Sequence, residues 1–171
     1  MKPLETPRLT IERWNESDID DAAAMFGDPE VMRFIPSGVA SRDNMKAYID
    51  KMNGGIDRRG YGLFAVKRRS DERVIGECGL QPIPDQPEVI EIGWLLAKAY
   101  WHQGYAREMV TAVTQFAFKD KGLARIVALI DRENAASIGI ANFLHMRFER
   151  IENHYRRDLM CYSLTPTPAS P

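Results

Sequence analysis

Cysteine is scarce in this 171-residue chain: only Cys78 and Cys161 occur, each inside an apolar, strand-like stretch. They read as buried free thiols and not as a disulfide framework. Neither sign of charge dominates, with 23 Lys and Arg against 24 Asp and Glu and a net charge of −1. The charges are interspersed, which argues against non-specific nucleic-acid binding, a property of concentrated basic faces. No apolar run approaches the roughly 20 residues of a membrane span. The N-terminal Met1-Lys2-Pro3-Leu4-Glu5 also lacks the apolar core of a signal peptide. A cytoplasmic protein with no membrane partner is therefore expected. The three spaced glycines of a dinucleotide fingerprint are missing, and so is the Gly-Lys-Ser/Thr of a phosphate-binding P-loop. At 44% hydrophobic and 27% charged residues, the composition suits one compact domain. A chain of this size should bury about 70% of its unfolded surface without staples.

Residues 8–14 alternate apolar and polar side chains, which predicts a half-buried first strand. Ser17 is placed to cap a helix over 18–26 with an acidic first turn. A short helical turn starts at Asp28-Pro29, and a third helix spans 41–52, closed by Gly54-Gly55. Residues 62–68 and 74–80 read as paired strands. Pro82, Pro84 and Pro87 mark a loop that cannot be a sheet interior, and the next strand covers 89–96. Residues 106–121 place Met109, Val110, Val113, Phe116 and Ala117 at helical spacing, with Gly122 as C-cap. A central strand over 125–130, a helix over 134–145 and a closing hairpin of 148–151 with 159–164 complete the order. The domain is expected to span 1–164, with 165–171 disordered. The fold class is α/β (α+β), one mixed sheet with helices on both faces.

The segment 91–108, EIGWLLAKAYWHQGYARE, carries the strongest chemical signal. A strand ends at Leu95-Leu96, and Gln103-Gly104-Tyr105-Ala106 leads directly into a long helix. Small residues at 104 and 106 let a backbone approach a ligand closely, and the new helix offers unpaired N–H groups and a positive dipole end. This suits a pyrophosphate. An ordinary strand–turn–helix with a glycine in its turn is the competing reading.

Trp101-His102-Gln103-Gly104-Tyr105-Ala106 resembles the coenzyme A loop of the GNAT superfamily of N-acetyltransferases, Arg/Gln-x-x-Gly-x-Gly/Ala. Trp101 stands where Arg or Gln is usual, as in the ribosomal-protein N-terminal acetyltransferase (Rim-type) branch. Residues 125–130 followed by Asn134-Ala135-Ala136-Ser137, the opening Thr6-Pro7-Arg8-Leu9 and the closing 158–164 also resemble that branch. The likeness implies a mostly antiparallel sheet with a parallel pair at a splayed centre. It implies an acetyl-CoA-dependent N-acetyltransferase acting on a primary amine, either a protein N-terminus or a small molecule, by direct attack in a ternary complex. Leu95 and Leu96 would hold the pantetheine and thioester, and an amide near Leu96 would face the oxyanion. Backbone amides of Gln103, Gly104, Tyr105, Ala106 and Arg107 would hold the pyrophosphate, and Asn134 the pantetheine. Glu91 and Glu77 are the candidate bases, each with a surface or ion-paired role as the alternative. The tyrosine that many members use as acid would fall at Ala141, which leaves Ser137 as the candidate acid or a simple helix cap.

The family's usual Lys-Leu-Gly-Phe is replaced by Phe143-Leu144-His145-Met146, which puts His145 at a left-handed cap position. His102 and His154 fall in expected loops without Cys or acidic partners at ligand spacing, so no metal is expected. A catalytically silent acyl-CoA sensor, or a transferase of another acyl-CoA, is the alternative function. The branch commonly dimerises, and a homodimer is compatible with the sequence.

Overall fold

The computed structural model describes residues 2–166, so the tail expected from 165 onward falls, beyond 166, outside the described residues. One eight-stranded sheet runs through the molecule in the order β1-β2-β3-β4-β5-β6-β8-β7. The strands are β1 (Leu4–Glu5), β2 (Leu9–Glu12), β3 (Leu63–Arg68), β4 (Val74–Ile83), β5 (Gln86–Leu96), β6 (Ile126–Ile130), β7 (Arg147–His154) and β8 (Arg157–Leu164). The helices are α1 (Ile19–Phe26), α2 (Pro29–Met32), α3 (Met45–Arg59), α4 (Tyr105–Gln115) and α5 (Ala135–Phe143). Every neighbouring pair is antiparallel except β5 and β6, which are parallel. The mixed α/β class and the single parallel pair match the expectation from sequence.

Strand alternation sorts the core onto the two faces. Phe64, Val66, Leu80, Ile92, Ile126 and Ala128 pack on one side with Met109, Val110 and Val113 of α4. Ala65, Val74 and Leu95 point the other way, against Phe26 of α1 and Met45 and Ile49 of α3. Further along that second face a smaller cluster forms from Ile83, Val127 and Cys161. Both cysteines are free and buried, and burial pushes each thiol up, Cys161 to about 11.

Several local expectations need correction. The first helical segment opens with a 3-10 turn over Glu16–Asp18, and its N-cap is Asn15, whose N–H donates to Asp18 Oδ2 (2.8 Å), not Ser17. Helix α3 runs through Gly54-Gly55, because Ile49 and Ile56 both face the core, and stops at Gly60, whose φ is 73°. Of the three prolines only Pro84 lies in a turn outside the sheet: Pro87 falls in β5, and Pro82 falls in β4, where it pairs with Ile90. Leu80 N–H donates to Gly62 at the start of β3. Pro82, two residues on, therefore turns its donorless nitrogen to the same side, beyond the first residue of β3, where no ladder bond is lost. Helix α4 passes into a π turn over Phe116–Asp120 before Gly122, at φ 63°.

Helix α5 ends as expected, with His145 left-handed at φ 57°. Its N–H donates to Asn142 C=O (3.0 Å) and Met146 N–H donates to Ala141 C=O (3.0 Å), the paired bonds of a Schellman cap. Glycine would hold this geometry without the Cβ penalty. His145→Gly is expected to stabilise the protein by about 1 kcal/mol, a rise of about 2–4 °C in Tm, measured by calorimetry.

Candidate active site

The parallel pair sets the site. β5 and β6 register only at Glu91 with Val127, and β5 continues to Leu96 while the chain leaves β6 at Ile130. Ala97 N–H donates to Ile75 C=O on β4 (2.8 Å), so by alternation Leu95 and Gly93 also face β4. Trp94 and Leu96 then present their backbone groups to the gap beside β6. The Leu96 carbonyl accepts from Trp101 Nε1 (2.7 Å). This bond gives a structural reason for tryptophan at the motif's first position: it pins the loop to the end of β5. The Trp94 indole reaches toward α5 and donates to Ser137 Oγ (3.2 Å).

The loop between β5 and α4 is held in one shape from several directions. His102 and Gly104 are both left-handed, at φ 61° and 82°. Arg8 donates to the Gln103 carbonyl (3.0 Å) and to Glu108 Oε2 (2.6 Å), and its guanidinium lies 4.3 Å from the Tyr105 ring centroid. Burial opposes ionisation of Glu108, but the Thr6 hydroxyl and the amide and guanidinium of Arg8 outweigh it and hold its carboxyl below the usual range. The opening Thr6-Pro7-Arg8-Leu9 is thus a strap on this loop. Glu108 N–H to Gly104 C=O (3.2 Å) is the first intrahelical bond of α4. The amides of Tyr105, Ala106 and Arg107 precede it and have no partner within the helix. A left-handed glycine with free helix-start amides behind it fits a pyrophosphate.

Asn134 caps α5, its Oδ1 accepting from Ser137 N–H (3.0 Å). Ser137 is therefore not the cap. Its hydroxyl faces the indole of Trp94 and keeps its own proton free to donate.

Glu77 and Glu91 both lie on the sheet face opposite α4 and are only 7% and 8% exposed, so neither is a surface residue. Glu77 pairs across the strands with Leu95, and Glu91 with Gln81. Their Cα atoms are therefore separated by about four residues along the sheet, roughly 13 Å. Between them Gly79 pairs with Gly93. A Cβ at Gly79 would run into the Gly62 carbonyl, and one at Gly93 would meet the Leu63 side chain at 3.4 Å. The two glycines admit the Gly62–Leu63 segment, which packs over the sheet face between the two glutamates.

Tyr48 of α3 donates to Glu77. Burial pushes the Glu77 carboxyl up to about 7, with the Tyr48 bond acting against the rise. Burial likewise raises Glu91, against donation from Gln81 Nε2 (3.1 Å), the Tyr155 hydroxyl (2.9 Å) and the Leu129 amide. Tyr155 and Gln81 escaped the sequence reading. Period-2 alternation could have placed Gln81 on the face of Glu77, but nothing local signals Tyr155. His154 is not a loop histidine without acidic partners. It ends β7 at 3% exposure, with Nε2 3.0 Å from Glu152 and Nδ1 3.4 Å from Asp85. Among the described residues, no group of three or more His, Cys, Asp or Glu is placed to hold a metal ion.

The family model for the acetyltransferase (GNAT) domain matches residues 8–147. The uncharacterized N-acetyltransferase YnaD of Bacillus subtilis (strain 168) is 30% identical over 146 residues, covering 85% of this chain and 83% of its own. A GNAT-family acetyltransferase structure from Bacillus anthracis superposes with a TM-score of 0.82 at 24% identity, over 96% of this chain and 98% of its own. RimL, a ribosomal L7/L12 alpha-N-protein acetyltransferase solved in complex with coenzyme A, superposes with a TM-score of 0.79 at 15% identity, over 96% and 98%.

A carboxyl raised by burial binds its proton more tightly in the folded state, so folding loses stability as pH rises from 4.5, the ordinary value, to about 7. Wild type is therefore expected to be less stable at pH 8 than at pH 5 by a Glu77 contribution of order 3 kcal/mol. Glu77→Gln, which mimics the neutral acid and still accepts from Tyr48, should remove most of that difference in urea unfolding.

Proposed function

The chain belongs to the acetyltransferase (GNAT) family of acyl-CoA-dependent N-acyltransferases, and from that premise we propose that it transfers acetyl from acetyl-CoA to a primary amine. The observation that carries this reading is the parted β5–β6 ladder, with backbone groups turned to the gap on one side and two buried carboxylates on the other face. The amides from Gln103 to Arg107 hold the pyrophosphate, the edge at Leu95 and Leu96 holds the pantetheine and thioester, and Asn134 flanks it from the start of α5. When bound, acetyl-CoA supplies the activated acyl group, and the protein supplies alignment and proton transfer.

Glu91 and Glu77 are the candidates to take the proton of the attacking amine, directly or through water: Glu77, raised by burial into the neutral range, pairs opposite Leu95, and Glu91 lies further along the strand where β5 meets β6. The Leu96 amide faces the developing oxyanion, and Ser137, oriented by Trp94, returns a proton to the leaving thiolate. Two carboxylates on one face support an enzyme over a silent acyl-CoA sensor, whose site would need no base. Trp101 and the Asn134–Ser137 pair support the Rim-type branch, and with it a protein N-terminus over a small amine as acceptor.

Isothermal titration should show acetyl-CoA binding to wild type and not to folded Gly104→Glu, which sets bulk and negative charge in the cradle. Absence of binding to both folded proteins would sink the cradle. With an acceptor found by an amine and N-terminal peptide screen, Glu91→Gln should lower kcat about 10²- to 10⁴-fold with the KM for acetyl-CoA little changed.

A further inference from the structure

The turn joining β7 to β8 is locally unfavourable. His154 registers with Arg157, leaving a two-residue loop of Tyr155 and Arg156. Both are left-handed, at φ 53° and 62°. Such turns favour Asn-Gly, and each larger residue in this region costs about 1–2 kcal/mol. Strand pairing alone gives no reason to place tyrosine here.

The side chain supplies one. The half-buried Tyr155 phenol donates to Glu91 Oε2 at 2.9 Å, across 64 positions of sequence. The tip that carries it is held from beneath. Buried His154 lies between Glu152 of its own strand (3.0 Å) and Asp85 (3.4 Å). Asp85 sits in the turn between β4 and β5, the strands that carry Gln81 and Glu91. His154 thus brings the base of the hairpin close to the turn between β4 and β5, with Nδ1 3.4 Å from Asp85.

We infer that Tyr155 is a positioning residue for Glu91, holding the carboxylate in one orientation and favouring its charged form for the acceptor amine. The catalytic meaning of this inference rests on Glu91 being the base. The groups that face Glu91 are Gln81 from β4, the Leu129 amide from β6, and Tyr155 and His154 from the hairpin; Asp85 faces Tyr155. Tyr155 is the donor among them whose place depends on a strained turn, as expected where backbone strain serves a site.

The test is carbon-13 NMR titration of glutamate carboxyls in the full chain, with Glu91 assigned by its loss in Glu91→Gln. Tyr155→Phe keeps the ring and removes the donor. Tyr155→Asn removes the ring but suits the left-handed turn, so it should fold at least as stably as wild type. Both variants should raise the pH at which Glu91 titrates by about one unit, the effect of one lost hydrogen bond to a charged group. The acid limb of kcat/KM should move the same way, with the KM for acetyl-CoA unchanged. An unmoved Glu91 titration in both folded variants overturns the inference. A moved titration with an unmoved kcat/KM profile upholds the positioning and overturns Glu91 as base.

Discussion

The parting of two parallel strands is the constraint on which the rest of this molecule depends. β5 and β6 meet once, at Glu91 and Val127, and then diverge inside an otherwise continuous sheet. Backbone N–H and C=O groups at such a place cannot be left without partners. The protein satisfies one of them itself, by the Trp101 indole on the Leu96 carbonyl, and turns the others toward the gap. Helices α4 and α5 both begin just past the carboxyl ends of these two strands, where ligands of open α/β sheets gather. The gap, the free amides of α4 and the cap of α5 are therefore consequences of one topological event.

A second requirement follows on the opposite face. The proposed acyl transfer to an amine would need a proton acceptor close to the sheet, yet a carboxylate there is costly to bury. The chain answers with a donor set around each glutamate: Tyr48 on Glu77, and Gln81, Tyr155 and the Leu129 amide on Glu91. Burial still wins in both cases, so both carboxyls sit above their ordinary values. Glu77, pushed up to about 7, has a proton affinity that suits a base accepting and releasing a proton in each turnover. Gly79 and Gly93, paired between the two glutamates, omit side chains and so admit the Gly62–Leu63 segment over the sheet.

The strap formed by Thr6 and Arg8 shows how a distant segment can fix the loop proposed to bind the cofactor. Arg8 bonds the Gln103 carbonyl and Glu108 together, fixing the turn before a ligand arrives. Order established in advance spares binding the entropy of ordering the loop. It also accounts for a motif at the start of the chain whose purpose is invisible in isolation.

Local patterns were enough to identify much of this protein. Alternation marked the strands around Phe64, Leu80 and Ile92, and the glycine-bearing turn before α4 pointed to phosphate chemistry. The left-handed His145 followed from the missing glycine after α5. These features depend on near neighbours, and near neighbours are what a sequence displays. Where local signals failed, tertiary packing had overridden them: α3 passed through Gly54-Gly55 because Ile56 is buried, and β4 kept Pro82 because β3 does not extend beside it. The partners of Glu77 and Glu91 were beyond reach for the same reason. Tyr48 and Tyr155 lie 29 and 64 positions away from the carboxylates they hold, and only strand register and helix placement bring them together. The sequence alone determined the family and most of the order of the elements, and it pointed to the loop proposed to hold the cofactor. The tertiary structure decided which carboxylates are buried, what holds them and which face they share, because burial and long-range hydrogen bonds exist only once the sheet has closed.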